Sequence, residues 1–296
     1  MIANLVGTYL LKKGRISKEQ YDAFFEEIGK VRVKLGLIAV HEGLMTEYQA
    51  DTVNMLQASM NKRFGDLAVE KGFLTDKQVR ELLKKQGDPY LSVAQALENV
   101  GIMKLPELDH IMMNYRVENE LSASSLEALK SDDIEKIVPL FLPVDADEYI
   151  DIVTIAVQTL MRLVDTDFLL EKGYSTYQLD SDNAAMQFVD GDPCLTTCFS
   201  SFGDGLLHIA STFGHEEFET VDMDALDAVA ELINCINGMY ASQLSEKRIQ
   251  MELYPPVFDV DIKAIGDDEM LVLPMMIKGK KVFLSFCIGE RLELIR

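Results

Sequence analysis

A chain that repeats itself at a fixed spacing is committed to stacking like units, whatever else it contains. Gly14, Gly43, Gly72 and Gly101 stand 29 residues apart. Gly7, Gly36 and Gly65 precede the first three of these by seven positions, and Ser17, Thr46 and Thr75 follow them by three. Gln20, Gln49 and Gln78 come next in register. A Ser or Thr followed three residues later by Gln is a capping box, in which hydroxyl and amide each satisfy an orphan backbone donor at the start of a helix. Apolar residues ahead of each glycine, as in Leu10-Leu11-Lys12-Lys13-Gly14, suit a helix that closes on a left-handed glycine. Each unit therefore reads as a short helix, a turn and a longer helix, and residues 1–118 as an all-α helical repeat domain with a 29-residue period. In the fourth copy Lys104 and Glu107 occupy the cap positions, as suits the outer unit of a stack.

The rest of the chain differs in charge. Of 296 residues, 28 are Lys or Arg and 49 are Asp or Glu, a formal net charge of −21. Residues 1–120 hold 16 basic and 17 acidic side chains, whereas residues 121–296 hold 12 and 32. A surface that acidic repels phosphate backbones and anionic leaflets, so neither nucleic-acid polymer nor membrane surface is an expected partner. The start, Met-Ile-Ala-Asn-Leu-Val-Gly, has no basic segment leading into an apolar run. The most apolar stretch, Ile150 to Val164, is broken by Asp151, Gln158 and Arg162, so no membrane insertion and a cytoplasmic location are expected. Cys194, Cys198, Cys235 and Cys287 fit no metal-ligand spacing and read as reduced thiols, and the four histidines form no cluster, so no metal site is expected.

Two middle copies carry an additional pattern. Lys34-Leu35-Gly36 runs to Gln57 and Arg63-Phe64-Gly65 runs to Gln86, two 24-residue blocks separated by five residues. In the first copy the matching positions are Leu5 and Ile28, so a ligand accounts for the polar pairs more readily than the fold does. This tandem motif resembles the MshEN family, the cyclic di-GMP-binding domain found at the front of some secretion and pilus ATPases. The resemblance implies that Lys34, Gln57, Arg63 and Gln86 contact guanine and phosphate while Leu35 and Phe64 line an apolar bed, with Gly36 and Gly65 in the motif. An arginine fork can bond guanine bidentately and pair with phosphate; Lys34 stands where that family has arginine and cannot form the fork. On the residues alone, a helical protein-interaction module without nucleotide fits the same pattern.

Residues 119–144 are polar with helical interruptions and read as a connector to a second domain over 145–296. There a helix over Glu148–Val164 is followed by strand-like runs at Tyr174–Leu179, Ala184–Val189, Leu195–Ser200 and Leu206–Ser211. A second helix spans Asp224–Leu244, and strands at Arg248–Leu253, Glu269–Ile277 and Lys281–Ile288 follow, the last two joined through Lys278-Gly279-Lys280. Helix, strands, helix, strands in this order predict an α+β domain with long helices packed on an antiparallel sheet.

In the second helix Leu226, Val229, Ile233, Ile236, Tyr240 and Leu244 recur at steps of three and four and form the predicted buried stripe. Asp227, Glu231, Asn234, Gly238 and Ala241 recur likewise on another face. Asn is a poor helix former and a mid-helix Gly costs about 1 kcal/mol relative to Ala, so this face opposes its own helix. Local violations of that kind are expected at functional positions. A small residue one turn beyond Asn234 lets another backbone approach closely.

Glu231-x-x-Asn234 with Gly238 four residues on, continuing to Ser242-Gln243-Leu244, resembles the CheC/CheX family of chemotaxis phosphatases, as does Leu253-Tyr254-Pro255-Pro256 downstream. The resemblance implies hydrolysis of the phosphoaspartate of a CheY-like response regulator, with Mg2+ supplied by that regulator and no cofactor of the chain's own. Asn234 would orient the attacking water and Glu231 would pair with the regulator's active-site lysine, while Asp227 and Gly238 form the approach surface. The first helix has Val157-Gln158-Thr159-Leu160-Met161 where two-site members repeat the motif, which implies one site per chain, a CheX type and a homodimer joined through sheet edges. The combined expectation is a cytoplasmic phosphoaspartate phosphatase controlled by cyclic di-GMP. Its rival is a non-enzymatic adaptor or scaffold that binds a response regulator or motility component through the same surface.

Overall fold

In a computed structural model, which describes residues 1–60, 62–165 and 168–296, together with the backbone only at Asp267, the chain divides into two compact units, residues 2–132 and 133–296 with Met1. The first is helical: α1 (Ile2–Lys12), α2 (Lys18–Ile28), α3 (Leu35–His41), α4 (Glu47–Met60), α5 (Phe64–Glu70), α6 (Asp76–Lys84), α7 (Pro89–Asn99), α8 (Leu105–Glu118) and α9 (Ala123–Ser131). Several of these helices start where side chains bond free backbone N–H groups, whereas α3 and α5 start without a side-chain cap. Ser17 with Gln20 and Thr75 with Gln78 form complete capping boxes, and Thr46 with Gln49 exchanges the same two hydrogen bonds. At the fourth position Glu107 accepts from the Lys104 backbone N–H. Gly14, Gly43, Gly72 and Gly101 all have positive φ, between +63° and +72°, where a Cβ is strained. At the centre lies α7, whose Tyr90, Leu91, Val93, Ala94, Ala96 and Leu97 are buried against α1, α2, α3, α8 and α9. Part of the predicted connector is helical, since α9 lies within it and caps on Ser122.

The second unit opens with α10 (Ile134–Ile137) and two short 3-10 turns, then α11 (Ile150–Leu163), β1 (Phe168–Leu170), β2 (Tyr174–Asp180), β3 (Asn183–Asp190), β4 (Leu195–Ser201) and α12 (Leu207–Gly214). The long helix α13 (Met223–Glu246) precedes β5 (Glu252–Leu253), β6 (Val257–Asp259), β7 (Ala264–Ile277), β8 (Lys280–Ile288) and β9 (Glu293–Ile295). The strands form an antiparallel sheet in the order β1-β7-β8-β4-β3-β5, with β2 and β9 also on β7 and β6 also on β3. Residues pointing to one face, among them Ala185, Val189, Phe199, Leu273 and Phe286, share a core with the inner faces of α11, α12 and α13. Those of the opposite phase, such as Met186, Cys198 and Val272, form a smaller second cluster.

Two sequence expectations are corrected. Leu206–Ser211 is not a strand: Leu206, Ile209 and Ala210 are buried at steps of three and four, the phase of a helix, and the segment begins α12. Within Arg248–Leu253 only Glu252–Leu253 is extended, because Arg248 takes φ +66° as the chain leaves α13.

Candidate functional site

The candidate site lies on the outer face of α13. The helix starts on Asp222, whose carboxylate accepts from the Ala225 N–H at 2.9 Å. Its inner face buries Leu226, Val229, Ile233, Ile236, Tyr240 and Leu244 in the sheet-facing core. Each fully buried Leu, Ile or Val contributes roughly 1.5–3 kcal/mol, enough to hold a helix that also carries Gly238 and two asparagines. With the inner face so fixed, Asp227, Glu231, Cys235 and Ser242 are exposed, and Asn234 and Gly238 are half-buried between them. These six residues share one face because they follow at steps of three, four or multiples of a turn. The structure thus brings together Asp227, Glu231, Asn234 and Gly238. Glu231 has no hydrogen-bond or ion-pair partner among the described residues, and a Cβ built on Gly238 meets nothing within 4 Å. The glycine is therefore not required by packing against the described residues.

Asn234 is held from behind. Its Oδ1 accepts from Gln187 Nε2 at 2.9 Å, and that nitrogen also donates to the Tyr254 carbonyl at 2.9 Å. Gln187 Oε1 accepts from Asn237 Nδ2 at 2.9 Å, and Asn237 Oδ1 accepts from the Thr197 hydroxyl at 2.7 Å. Gln187, Thr197 and Asn237 are each no more than 1 % exposed. Gln187 on β3 and Thr197 on β4 are direct cross-strand partners facing α13, where Asn234 and Asn237 sit one turn apart. Sequence reasoning missed these three residues. The one signal available was Asn237, which falls on the buried phase of the helix and so needed partners inside the protein. Nothing local marks Gln187 or Thr197, since the partners of their side chains lie 40 to 67 residues away.

Tyr254 closes the rim, its ring half-exposed and packed edge-on against Phe188 with centroids 5.6 Å apart. The free thiols differ in exposure, Cys194 being intermediate. Cys198 is fully buried, which pushes its pKa up, and Cys287, also buried and beside Asp268, is raised to about 11. Cys235 is the one exposed cysteine and lies between Asn234 and Gly238 on the outer face. Among the described residues no group of three or more His, Cys, Asp or Glu is gathered as for a metal ion, and no helix is long and apolar enough to cross a membrane.

The residues singled out in the first unit are arranged differently. Lys34 and Arg63 are the residues immediately before α3 and α5, both with exposed side chains. Leu35, Gly36, Phe64 and Gly65 are buried, and the two blocks pack on each other: a Cβ on Gly36 would lie 3.1 Å from the Phe64 ring, and one on Gly65 would lie 2.7 Å from Val79. Both glycines are thus accounted for by packing. Gln57 is exposed, whereas Gln86 donates to the Val33 carbonyl at 2.9 Å. Lys34 and Gly36 line a cavity of about 280 Å³ whose walls also carry Glu47, Asp51, Glu98 and Lys104; Gln57, Arg63 and Gln86 lie outside it.

Residues 184–283, which include every member of the α13 site and its supporting network, match the family model of the chemotaxis phosphatase CheX. The C-terminal unit carries a CheX domain. Among proteins of curated function none matches the chain. Solved structures similar to it include a chemotaxis protein CheX from Desulfovibrio desulfuricans (16% identity, TM-score 0.41, 47% of this chain and 97% of that one). Another is a CheC-like superfamily protein from Shewanella sp. PV-4 (16%, 0.42, 49% and 99%). A third is the CheX-CheY-BeF3-Mg2+ complex from Borrelia burgdorferi (18%, 0.37, 48% and 98%).

Proposed function

We propose that the CheX domain removes the phosphoryl group from the phosphoaspartate of a CheY-like response regulator. The observation that carries this reading is Asn234, an amide fixed on one side by Gln187 and, among the described residues, unpartnered at Nδ2, one turn from the Glu231 carboxylate, which has no partner among them either, and one turn from the open backbone at Gly238. Hydrolysis of an acyl phosphate needs a positioned water more than a covalent helper. The water oxygen bonds to phosphorus as the bond from phosphorus to the aspartyl oxygen breaks. The carboxylate leaves with the electron pair, and the proton lost by the water ends on phosphate. An amide does not act as a base near neutral pH, but Nδ2 can donate to the water or a phosphoryl oxygen, and Oδ1 keeps a second lone pair for a water proton. Glu231 is the partner for the regulator's active-site lysine, and Asp227 adds to the same negative approach surface. Mg2+ comes with the regulator and neutralises charge on the transferring group.

The test is Asn234→Ala, assayed by release of phosphate from the phosphorylated regulator and by binding to its beryllofluoride form. A phosphatase loses turnover and keeps binding. An adaptor binds alike with and without the substitution and releases no phosphate in either form, which would overturn the enzymatic reading. Two further parts of the reading concern the whole chain. The homodimer implied by the CheX resemblance is tested by sedimentation equilibrium. Control by cyclic di-GMP is supported by the repeated motif alone, in which the exposed cations Lys34 and Arg63 each stand directly before a buried apolar residue, Leu35 and Phe64. Titration calorimetry of the full chain and of Arg63→Ala tests it: micromolar binding lost in the variant supports control, and no binding removes it.

A further inference from the structure

We infer that Gln187 is a positioning residue for Asn234, and that a relay running Thr197–Asn237–Gln187 fixes which end of the Asn234 amide meets the substrate. This rests on the phosphatase reading of the α13 face given above. A side-chain amide has a donor end and an acceptor end of nearly the same shape, so a half-buried asparagine can present either one unless its neighbours choose. Here the choice is made by a group that cannot reverse. The Tyr254 main-chain carbonyl only accepts, and Gln187 Nε2 lies 2.9 Å from it. Gln187 is therefore held with its nitrogen toward Tyr254 and Asn234 and its oxygen toward Asn237. A reversed Gln187 would set oxygen against oxygen at Tyr254.

Each further sense follows from that one. Gln187 Nε2 has its second proton on Asn234 Oδ1 at 2.9 Å, so a reversed Asn234 would set two NH2 groups against each other. Gln187 Oε1 takes a proton from Asn237 Nδ2, which leaves Asn237 Oδ1 to accept from the Thr197 hydroxyl at 2.7 Å. The hydroxyl proton is the last donor, and it closes the relay. Gln187, Asn237 and Thr197 are each no more than 1 % exposed, so the bonds from Gln187 to Asn237 and from Asn237 to Thr197 are shielded from water, and an unmade one is costly in that setting. The outcome at the surface is that Nδ2 of Asn234, which has no acceptor among the described residues, is the end offered to an incoming phosphoryl group. Strand β3 thereby sets the chemistry of a helix residue 47 positions away.

The relay predicts a separation between turnover and binding that a role in stability alone does not. Gln187→Met keeps the length and removes both donors, so the Asn234 amide is free to reverse. Against an acetyl-phosphate-loaded CheY-like regulator, the full chain carrying Gln187→Met is expected to lose about tenfold or more in kcat with KM unchanged within about twofold, since a misplaced group costs up to about a hundredfold. In a folded Asn234→Ala background the same change has no further effect, because the residue it acts through is gone. Thr197→Val, at the far end, gives a smaller loss of the same kind, and it carries the test if Gln187→Met does not fold. The side-chain amide resonances of Asn234 provide a readout without substrate: one sharp NH2 pair in the parent chain, broadened or doubled in either variant. Unchanged kcat and unchanged amide resonances in both variants, with Asn234→Ala inactive, would overturn the relay and leave the phosphatase reading standing. Full activity in Asn234→Ala overturns that reading instead, whatever the resonances show.

Discussion

Replacing Gly238 by alanine should make the protein more stable and worse at its task. Gly238 is the sixteenth of 24 residues in α13, far from either end, where glycine costs about 0.8–1.0 kcal/mol relative to alanine. A Cβ there meets nothing within 4 Å, so no steric penalty offsets the gain. For a unit of this size 1 kcal/mol corresponds to a rise in Tm of about 2–4 °C, read as the melt of the CheX domain by calorimetry or circular dichroism. Docking runs the other way. If the regulator's backbone approaches α13 at this point, an added methyl overpacks the contact by about 1–3 kcal/mol, or roughly five- to hundredfold in KM at 1.4 kcal/mol per decade. Two results would refute the reasoning. A lower Tm means that the space above Gly238 is not open, and a raised Tm with unchanged KM means that the partner does not approach there.

Glu231→Gln should change Tm little, since Glu231 is exposed and has no partner among the described residues, yet weaken regulator binding and flatten its dependence on salt, as measured by titrations at 50 and 300 mM NaCl. A bulky maleimide should react first at Cys235 and slow dephosphorylation, with bound regulator protecting the thiol. Cys287, raised to about 11, stays almost wholly protonated at pH 8 and becomes a thiolate only as the pH climbs toward that value, so mass mapping should find it and Cys198 unlabelled at pH 8. Asp222→Ala removes the cap on α13 and should cost about 1 kcal/mol in a denaturant melt. Gly72→Ala forces a Cβ into φ +72° and should destabilise the helical unit by about 1–2 kcal/mol, visible in the same experiment.

Much of the local structure was legible because it is decided locally. Ser17 with Gln20 and Thr75 with Gln78 cap helices through groups three residues apart, and the steps of three and four over 224–244 suffice to set Glu231, Asn234 and Gly238 on one outward face. Where a short apolar run could serve either period, as at Leu206–Ser211, sequence chose a strand and the core chose a helix, because Leu206, Ile209 and Ala210 find their burial on one side only. The tandem motif shows a related limit. Spacing aligned Gly36 with Gly65, but only packing revealed that the Phe64 ring and Val79 occupy the room their side chains would take.

The sequence by itself determined which helix presents Glu231, Asn234 and Gly238, since periodicity and propensity act within a few residues. Only the tertiary structure decided how Asn234 is held, because Gln187 bonds it and is itself fixed by the Tyr254 carbonyl and, through Asn237, by Thr197, groups that come from two strands and a loop distant in sequence. Hydrogen bonds between such segments exist only once the sheet has set its register against α13, and no local pattern encodes that register.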